Sequence, residues 1–138
     1  MPQVPNTLRR VGCMLVNNEW CSMFACDDYG DVIVETKDTF LLISDFTASD
    51  NMETVVDFSH FVQLLEEMRS GKSNRIADNL PLDPSTVCGG VRHKNRSWTL
   101  FTVDSLGRYT YRNVKLDGTL THPTETNIMQ EVDVVDYM

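Results

Sequence analysis

Between Val11 and Phe46 the chain runs through four short apolar segments, Val11 to Val16, Glu19 to Cys26, Asp31 to Thr36 and Thr39 to Phe46. They are separated by Asn17-Asn18, by Asp27-Asp28-Tyr29-Gly30 and by Lys37-Asp38. Asn, Asp and Gly tolerate the backbone angles of tight turns, so this punctuation predicts an antiparallel meander. In the second segment Trp20, Ser22, Phe24 and Cys26 alternate with Cys21, Met23 and Ala25, which makes both faces apolar and predicts a central strand.

At Phe58 the period changes. Phe58, Phe61, Val62, Leu65 and Met68 fall on one helical stripe, with Asp57 or Ser59 placed to cap its start and Gly71 to end it, so a helix of about three turns is predicted over 58–70. Residues 72–86 carry two prolines and many turn formers and read as a surface linker. A second β-type run follows: Val87 to His93, Ser97 to Val103, Arg108 to Leu116 and the weaker Thr119 to His122, with Asp117-Gly118 as the strongest hairpin signal. In the tail, Ile128, Met129, Val132, Val135 and Met138 have near-helical spacing, but the valines also suit a strand, and residues 125–138 are left open between helix, strand and free tail.

These readings give an α+β fold: an antiparallel meander sheet with one firm helix, in a single domain over 1–138. If the tail is helical, the chain becomes two four-strand-plus-helix halves, 11–71 and 87–138, joined by the linker 72–86. The length of 138 residues is enough to bury a core without staples. No apolar run approaches the roughly 18 residues of a membrane span, and the polar start MPQVPNTLRR lacks a signal-peptide core, so a soluble protein of a reducing intracellular or cytoplasmic compartment, not a secreted one, is expected. Cys13, Cys21, Cys26 and Cys88 form no C-x-x-C pair and read as small buried thiols, Cys21 and Cys26 on opposite strand faces.

Charge is distributed unevenly. The formal net charge is -8, yet Arg92 to Lys115 holds six of the twelve cations (Arg92, Lys94, Arg96, Arg108, Arg112, Lys115), one acid (Asp104), and the rings of Trp98, Phe101, Tyr109 and Tyr111. A basic, aromatic segment in an acidic protein suits a polyanion with exposed rings. Alternation puts Tyr109, Tyr111, Asn113 and Lys115 on one side of their strand, the side better suited to a polar partner, and Arg108, Thr110, Arg112, Val114 and Leu116 on the other. The competing explanation is packing: Tyr and Trp favour strands, and Arg and Lys line the solvent side of hairpins.

The segment WTLFTVDSLGRYTYRNV, with Gly-Arg entering an aromatic strand, and the helix DFSHFVQLLEEM after a β-type run resemble the Whirly and Pur-alpha families of single-stranded nucleic-acid-binding proteins. That resemblance implies extended strands whose exposed face stacks bases and pairs with phosphates. It transfers only to the second hairpin, because the corresponding first-half turn, DDYGD, has no basic residue after Gly30.

The resulting expectation is a non-catalytic protein binding single-stranded DNA or RNA through Arg92, Lys94, Arg96, Trp98, Arg108, Tyr109, Tyr111, Arg112 and Lys115. The alternative is an acidic protein-interaction or structural subunit, such as a viral or phage assembly component or a nucleic-acid mimic that binds a basic protein. Residues 1–57 hold ten acids against three cations, a difference of minus seven. Asp27, Asp28 and Asp31 lack calcium-loop spacing, Cys88-Gly89-Gly90 reads as a bulge or close strand crossing before a nucleophile, and no phosphate loop, dinucleotide fingerprint or hydrolase motif is present. No catalytic residue, metal or cofactor is therefore expected. Unprotected sheet edges, as read here, also suggest a homodimer.

Overall fold

A computed structural model describes residues 7–71, 82–127 and 130–137. Its strands are β1 (Arg9–Val16), β2 (Glu19–Cys26), β3 (Asp31–Glu35), β4 (Phe40–Leu42), β5 (Val87–Arg92), β6 (Trp98–Val103), β7 (Tyr109–Val114), β8 (Thr124–Thr126) and β9 (Gln130–Val132). Among the described residues one α-helix, α1 (Phe58–Arg69), follows β4. The fold is the expected α+β meander: the described residues form one nine-stranded antiparallel sheet in the order β8-β7-β6-β5-β1-β2-β3-β4-β9. Two four-strand meanders thus lie back to back, joined where β1 pairs with β5.

The turns form where the sequence places them. Asn17 and Asn18 adopt φ of 52° and 65°, the left-handed pair that a two-residue hairpin needs to match strand twist. Asp57 caps α1 by accepting the His60 backbone N–H, and Phe61, Leu65 and Met68 are the buried stripe of the helix. At the β1–β5 seam, a Cβ on Gly12 would lie 2.2 Å from the Gly90 carbonyl oxygen, and one on Gly89 would lie 2.9 Å from the Cys13 carbonyl oxygen. The glycines therefore mark both a bulge, between Val87 and Gly89, and a close strand approach.

The sheet's two faces carry three apolar clusters. One face, which the curled sheet turns inward, gathers Val11, Met23, Val34, Ile43, Val91 and Phe101, with Phe46 and Met52 folded in from the 43–52 loop. On the other face, α1 seals Cys13, Val87, Trp98, Leu100 and Val114. Beside it, Val134 and Tyr137 of the C-terminal 3-10 turn seal Leu8, Phe24, Ile33 and Phe40. The apolarity of both faces of β2 follows, and Cys21 and Cys26 do lie on opposite faces, in different clusters.

The second half departs from the duplicated plan. Among the described residues its end holds no second α-helix: β9 pairs with β4, and Val134–Tyr137 form a 3-10 turn. The β4 edge offers the valine-rich tail backbone partners that a β-branched segment takes up readily. Ile128, Met129 and Met138 lie outside the described residues, as does 72–81 of the expected linker. Its remainder is not irregular throughout, because Pro84–Thr86 form a 3-10 turn capped by Asp83. The Asp117-Gly118 turn forms, but pairing beyond it is reduced to a Val114–Leu120 bridge. The ladder resumes at Thr124, after Pro123, which has no N–H to contribute.

Only residues 127–129 separate β8 from β9, although these strands sit at opposite ends of the sheet order. So short a connection spans at most about 13 Å, so the sheet must curl until its ends approach each other. Ser44 ties them: it donates its backbone N–H to the Asn127 carbonyl, accepts the Asn127 N–H on its side chain, and takes the Thr126 hydroxyl on its carbonyl. The outermost strands have three residues each, which keeps short the unprotected edges on which the homodimer expectation rests. No helix among the described residues is long and apolar enough to cross a membrane.

Candidate nucleic-acid interface

The basic hairpin is built by β6 and β7, paired from Trp98–Val114 to Val103–Tyr109. Its rings are largely committed to the core. Trp98 is 7% exposed, with its ring 5.3 Å from that of Phe61 on α1. Tyr111 packs 4.9 Å from Phe46 and 5.7 Å from Phe101, and its hydroxyl donates to the Asp45 carbonyl at 2.7 Å. Tyr109 is half-buried against the same inner cluster, and burial pushes its phenol above the ordinary range. The Tyr109/Tyr111 side expected to meet a polar partner is therefore the inward face of the curled sheet, and base stacking on Trp98 is ruled out by its burial.

Two of the guanidinium groups are also engaged. Arg108 donates through Nε to Asp104 at 2.8 Å, closing the β6–β7 turn, and this network holds the Asp104 carboxyl below the usual carboxylate range, the Arg108 backbone N–H contributing most. Arg92 lies over the Trp98 ring at 6.0 Å and 3.9 Å from Glu53, too far for a hydrogen bond, and its buried Nε has no hydrogen-bond partner among the described residues. Arg112 is half-buried, opposite Leu100. Lys94, Arg96 and Lys115 remain exposed, with no ion pair within 4 Å among the described residues.

These three cations gather at one end of the sheet. Lys94 and Arg96 belong to the β5–β6 turn, where Arg96 takes a φ of 71°, and Lys115 follows directly on β7. Beside them opens a groove of about 640 Å³, whose lining includes Asn51, His93, Asn95, Ser97, Asn113 and Lys115. Asn51 comes from the first half, brought in by the Met52–His93 bridge and by the Lys94 N–H donating to its carbonyl at 2.7 Å. Sequence reading included Lys94, Arg96 and Lys115 but missed Asn51, His93, Asn95 and Ser97. An isolated polar residue in a turn carries no spacing signal, and the Asn51 contact crosses between the halves.

Behind the groove runs a polar relay. The Thr99 hydroxyl donates to Asn113 Oδ1 at 2.6 Å and contacts His93 Nε2 at 2.7 Å, so His93 carries its proton on Nε2. Its Nδ1 is buried and has no hydrogen-bond partner among the described residues. Burial accordingly lowers the imidazole pKa from its ordinary value of 6.5. A depressed histidine is neutral in the fold while the unfolded chain still takes up a proton. Stability is thus full above about pH 7 and falls as pH drops through about 6.5 towards the folded-state value. Urea unfolding at stepped pH is expected to show this loss in the parent chain and a flatter profile in His93→Gln; an unchanged slope would assign the loss to other groups.

The thiols offer no chemistry here. All four cysteines are free and buried, and burial pushes the Cys88 thiol up to about 12, far from a reactive thiolate. Comparison with protein-family models, curated proteins and solved structures gives no match to this chain.

Proposed function

We propose that the protein is a non-catalytic binding protein that holds single-stranded nucleic acid along the groove at the β5–β6–β7 end, through phosphates and polar edges instead of stacked bases. The supporting observation is the grouping of Lys94, Arg96 and Lys115, exposed and outside any ion pair among the described residues, beside a groove of mixed polar and apolar lining on an otherwise acidic protein. The Whirly and Pur-alpha likeness suggests the same ligand class, but its stacking mode does not carry over to buried Trp98 or to Tyr111. Arg108 and Arg92 are secondary in this reading because each already has a carboxylate oxygen within 4 Å.

Fluorescence anisotropy of a labelled oligothymidylate at stepped salt tests the reading. With about three phosphate contacts, the logarithm of the binding constant should fall with the logarithm of salt at a slope near -2. Arg96→Glu and Lys115→Glu should each weaken binding at least tenfold, whereas Arg108→Gln should change it little. No binding at about 50 mM salt, or binding indifferent to Arg96 and Lys115, would remove this reading.

A second reading, an acidic interaction surface for a basic protein, is favoured by the turns of the first meander. There Asp28, Asp38, Asp45 and Asp50 are exposed, and Tyr29 stands 58% exposed beside Asp28. Co-purification of a basic protein that is lost in Asp28→Lys would favour it over the first.

A further inference from the structure

Asn51 reaches the groove from the first half of the chain, and a side chain outside the groove holds the turn that carries it. Arg9, the first residue of β1, donates through Nε and Nη2 to the two carboxylate oxygens of Asp27, at 3.1 and 3.0 Å. That side-on fork fixes the plane of the guanidinium. Two further donations then meet the 49–52 turn at both ends: Nη2 donates to the Ser49 carbonyl at 3.0 Å, and Nη1 donates to the Met52 carbonyl. The turn is closed within itself by the Met52 N–H on the Ser49 carbonyl and by the Asn51 N–H on the Ser49 hydroxyl, each at 3.1 Å. Asn51 lies between the two clasped carbonyls, and its own carbonyl accepts the Lys94 N–H at 2.7 Å.

Other restraints act further along. Met52 is buried in the inner cluster and bridges to His93, and the Glu53 N–H donates to the Arg92 carbonyl at 2.8 Å. These seat the chain after Asn51 against the end of β5, whereas Arg9 also grips Ser49, where the turn begins. The Arg9 side chain is 22% exposed and that of Asp27 43%, so the pair is partly shielded from water. Hydrogen bonds from Arg9 hold the Asp27 carboxyl below the usual carboxylate range, and the charge of Lys94 contributes less in the same direction.

We infer that Arg9, oriented by Asp27, is a positioning residue of the groove: it clasps the 49–52 turn and so sets where Asn51 stands beside His93 and Lys94. The consequence for binding rests on the proposed function, while the clasp itself does not. Lysine cannot replace this side chain, because a point charge on a flexible stem lacks the planar fork that meets a carboxylate and two carbonyls at once.

Amide hydrogen exchange on the full chain tests the clasp without any ligand, and oligothymidylate anisotropy at stepped salt tests its consequence. In Arg9→Gln, the N–H groups of Met52 and Lys94 should exchange about tenfold faster, and should accelerate more than amides at the centre of β2 and β3, which report global unfolding. Asp27→Asn should move the same two amides in the same direction by less, because the carbonyl contacts remain. Arg9→Lys should resemble Arg9→Gln. Arg9→Gln should bind the oligonucleotide about threefold to tenfold more weakly with an unchanged salt slope, whereas loss of a direct phosphate contact would make the slope shallower by about 0.9.

The failures are separable. If Arg9→Gln leaves the Met52 and Lys94 amides at the parent rate, or speeds them no more than the central amides, the clasp is overturned. Parent-like exchange in Arg9→Lys would make charge, not the fork, the operative feature and would also overturn it. If both amides respond but Arg9→Gln binds as the parent does, or if its salt slope becomes shallower, the positioning role is overturned. If the parent chain binds no oligothymidylate while the amides respond as stated, the clasp stands and the nucleic-acid reading falls.

Discussion

Replacing Phe101 by alanine is expected to destabilise the fold by about 3–5 kcal/mol, measured by urea unfolding against the parent chain. The ring is fully buried in the inner cluster, edge-on to Phe46 with centroids 5.0 Å apart and in contact with Tyr111. Removing it takes away apolar burial, opens a void that the surrounding strands can fill only in part, and unseats Phe46, the residue that holds the 43–52 loop inside the sheet. Phe101→Leu keeps most of the volume and should cost less than about 1.5 kcal/mol. If Phe101→Ala proved nearly as mild as the leucine variant, Phe101 would not be an organising element of this core.

Gly12→Ala is expected to be similarly severe for a different reason, costing about 3 kcal/mol or more. The new methyl would sit 2.2 Å from the carbonyl oxygen of Gly90 on the neighbouring strand. A side chain could rotate away, but a backbone carbonyl in a sheet cannot, so β1 and β5 would have to separate at the seam that joins the two meanders. Gly89→Ala, 2.9 Å from the Cys13 carbonyl, should follow in the same direction with a smaller loss. Gly107, whose added Cβ would meet nothing within 4 Å, supplies a control for generic loss of a glycine, although its φ of 79° gives alanine a strain cost of its own of about 1 kcal/mol. Unfolding free energies that rank Gly12→Ala no worse than Gly107→Ala would contradict the close approach of the strands.

Much of this architecture is local, and local features are legible in sequence. The Asn17-Asn18 hairpin, the two apolar faces of β2 and the Phe61–Leu65–Met68 stripe follow from turn chemistry and side-chain periodicity, which act within a few residues of each other. The tail was not legible. Its valines permitted either helix or strand, and pairing with β4, nearly ninety residues earlier in the chain, resolved it in favour of a strand at 130–132. The faces of the basic hairpin were inverted for the same kind of reason. Alternation separated Tyr109 and Tyr111 from Arg108 and Arg112 correctly, but which set turned inward depended on the curl of the whole sheet and on Phe46 arriving from another loop.

The candidate site divides along the same line. Lys94, Arg96 and Lys115 stand out by composition, whereas the groove beside them needed Asn51 from the first half and the Thr99–Asn113 contact across two strands. From its own residues the chain determined β1 to β7, its helix, its turns and the location of its surplus positive charge, because these are set by short-range sterics and by the count of ionisable groups. Tertiary structure alone decided which rings would be covered, that Arg92 would lie near Glu53 and that Thr99 would reach Asn113. Those outcomes depend on distances between residues apart in sequence, and no periodicity encodes them.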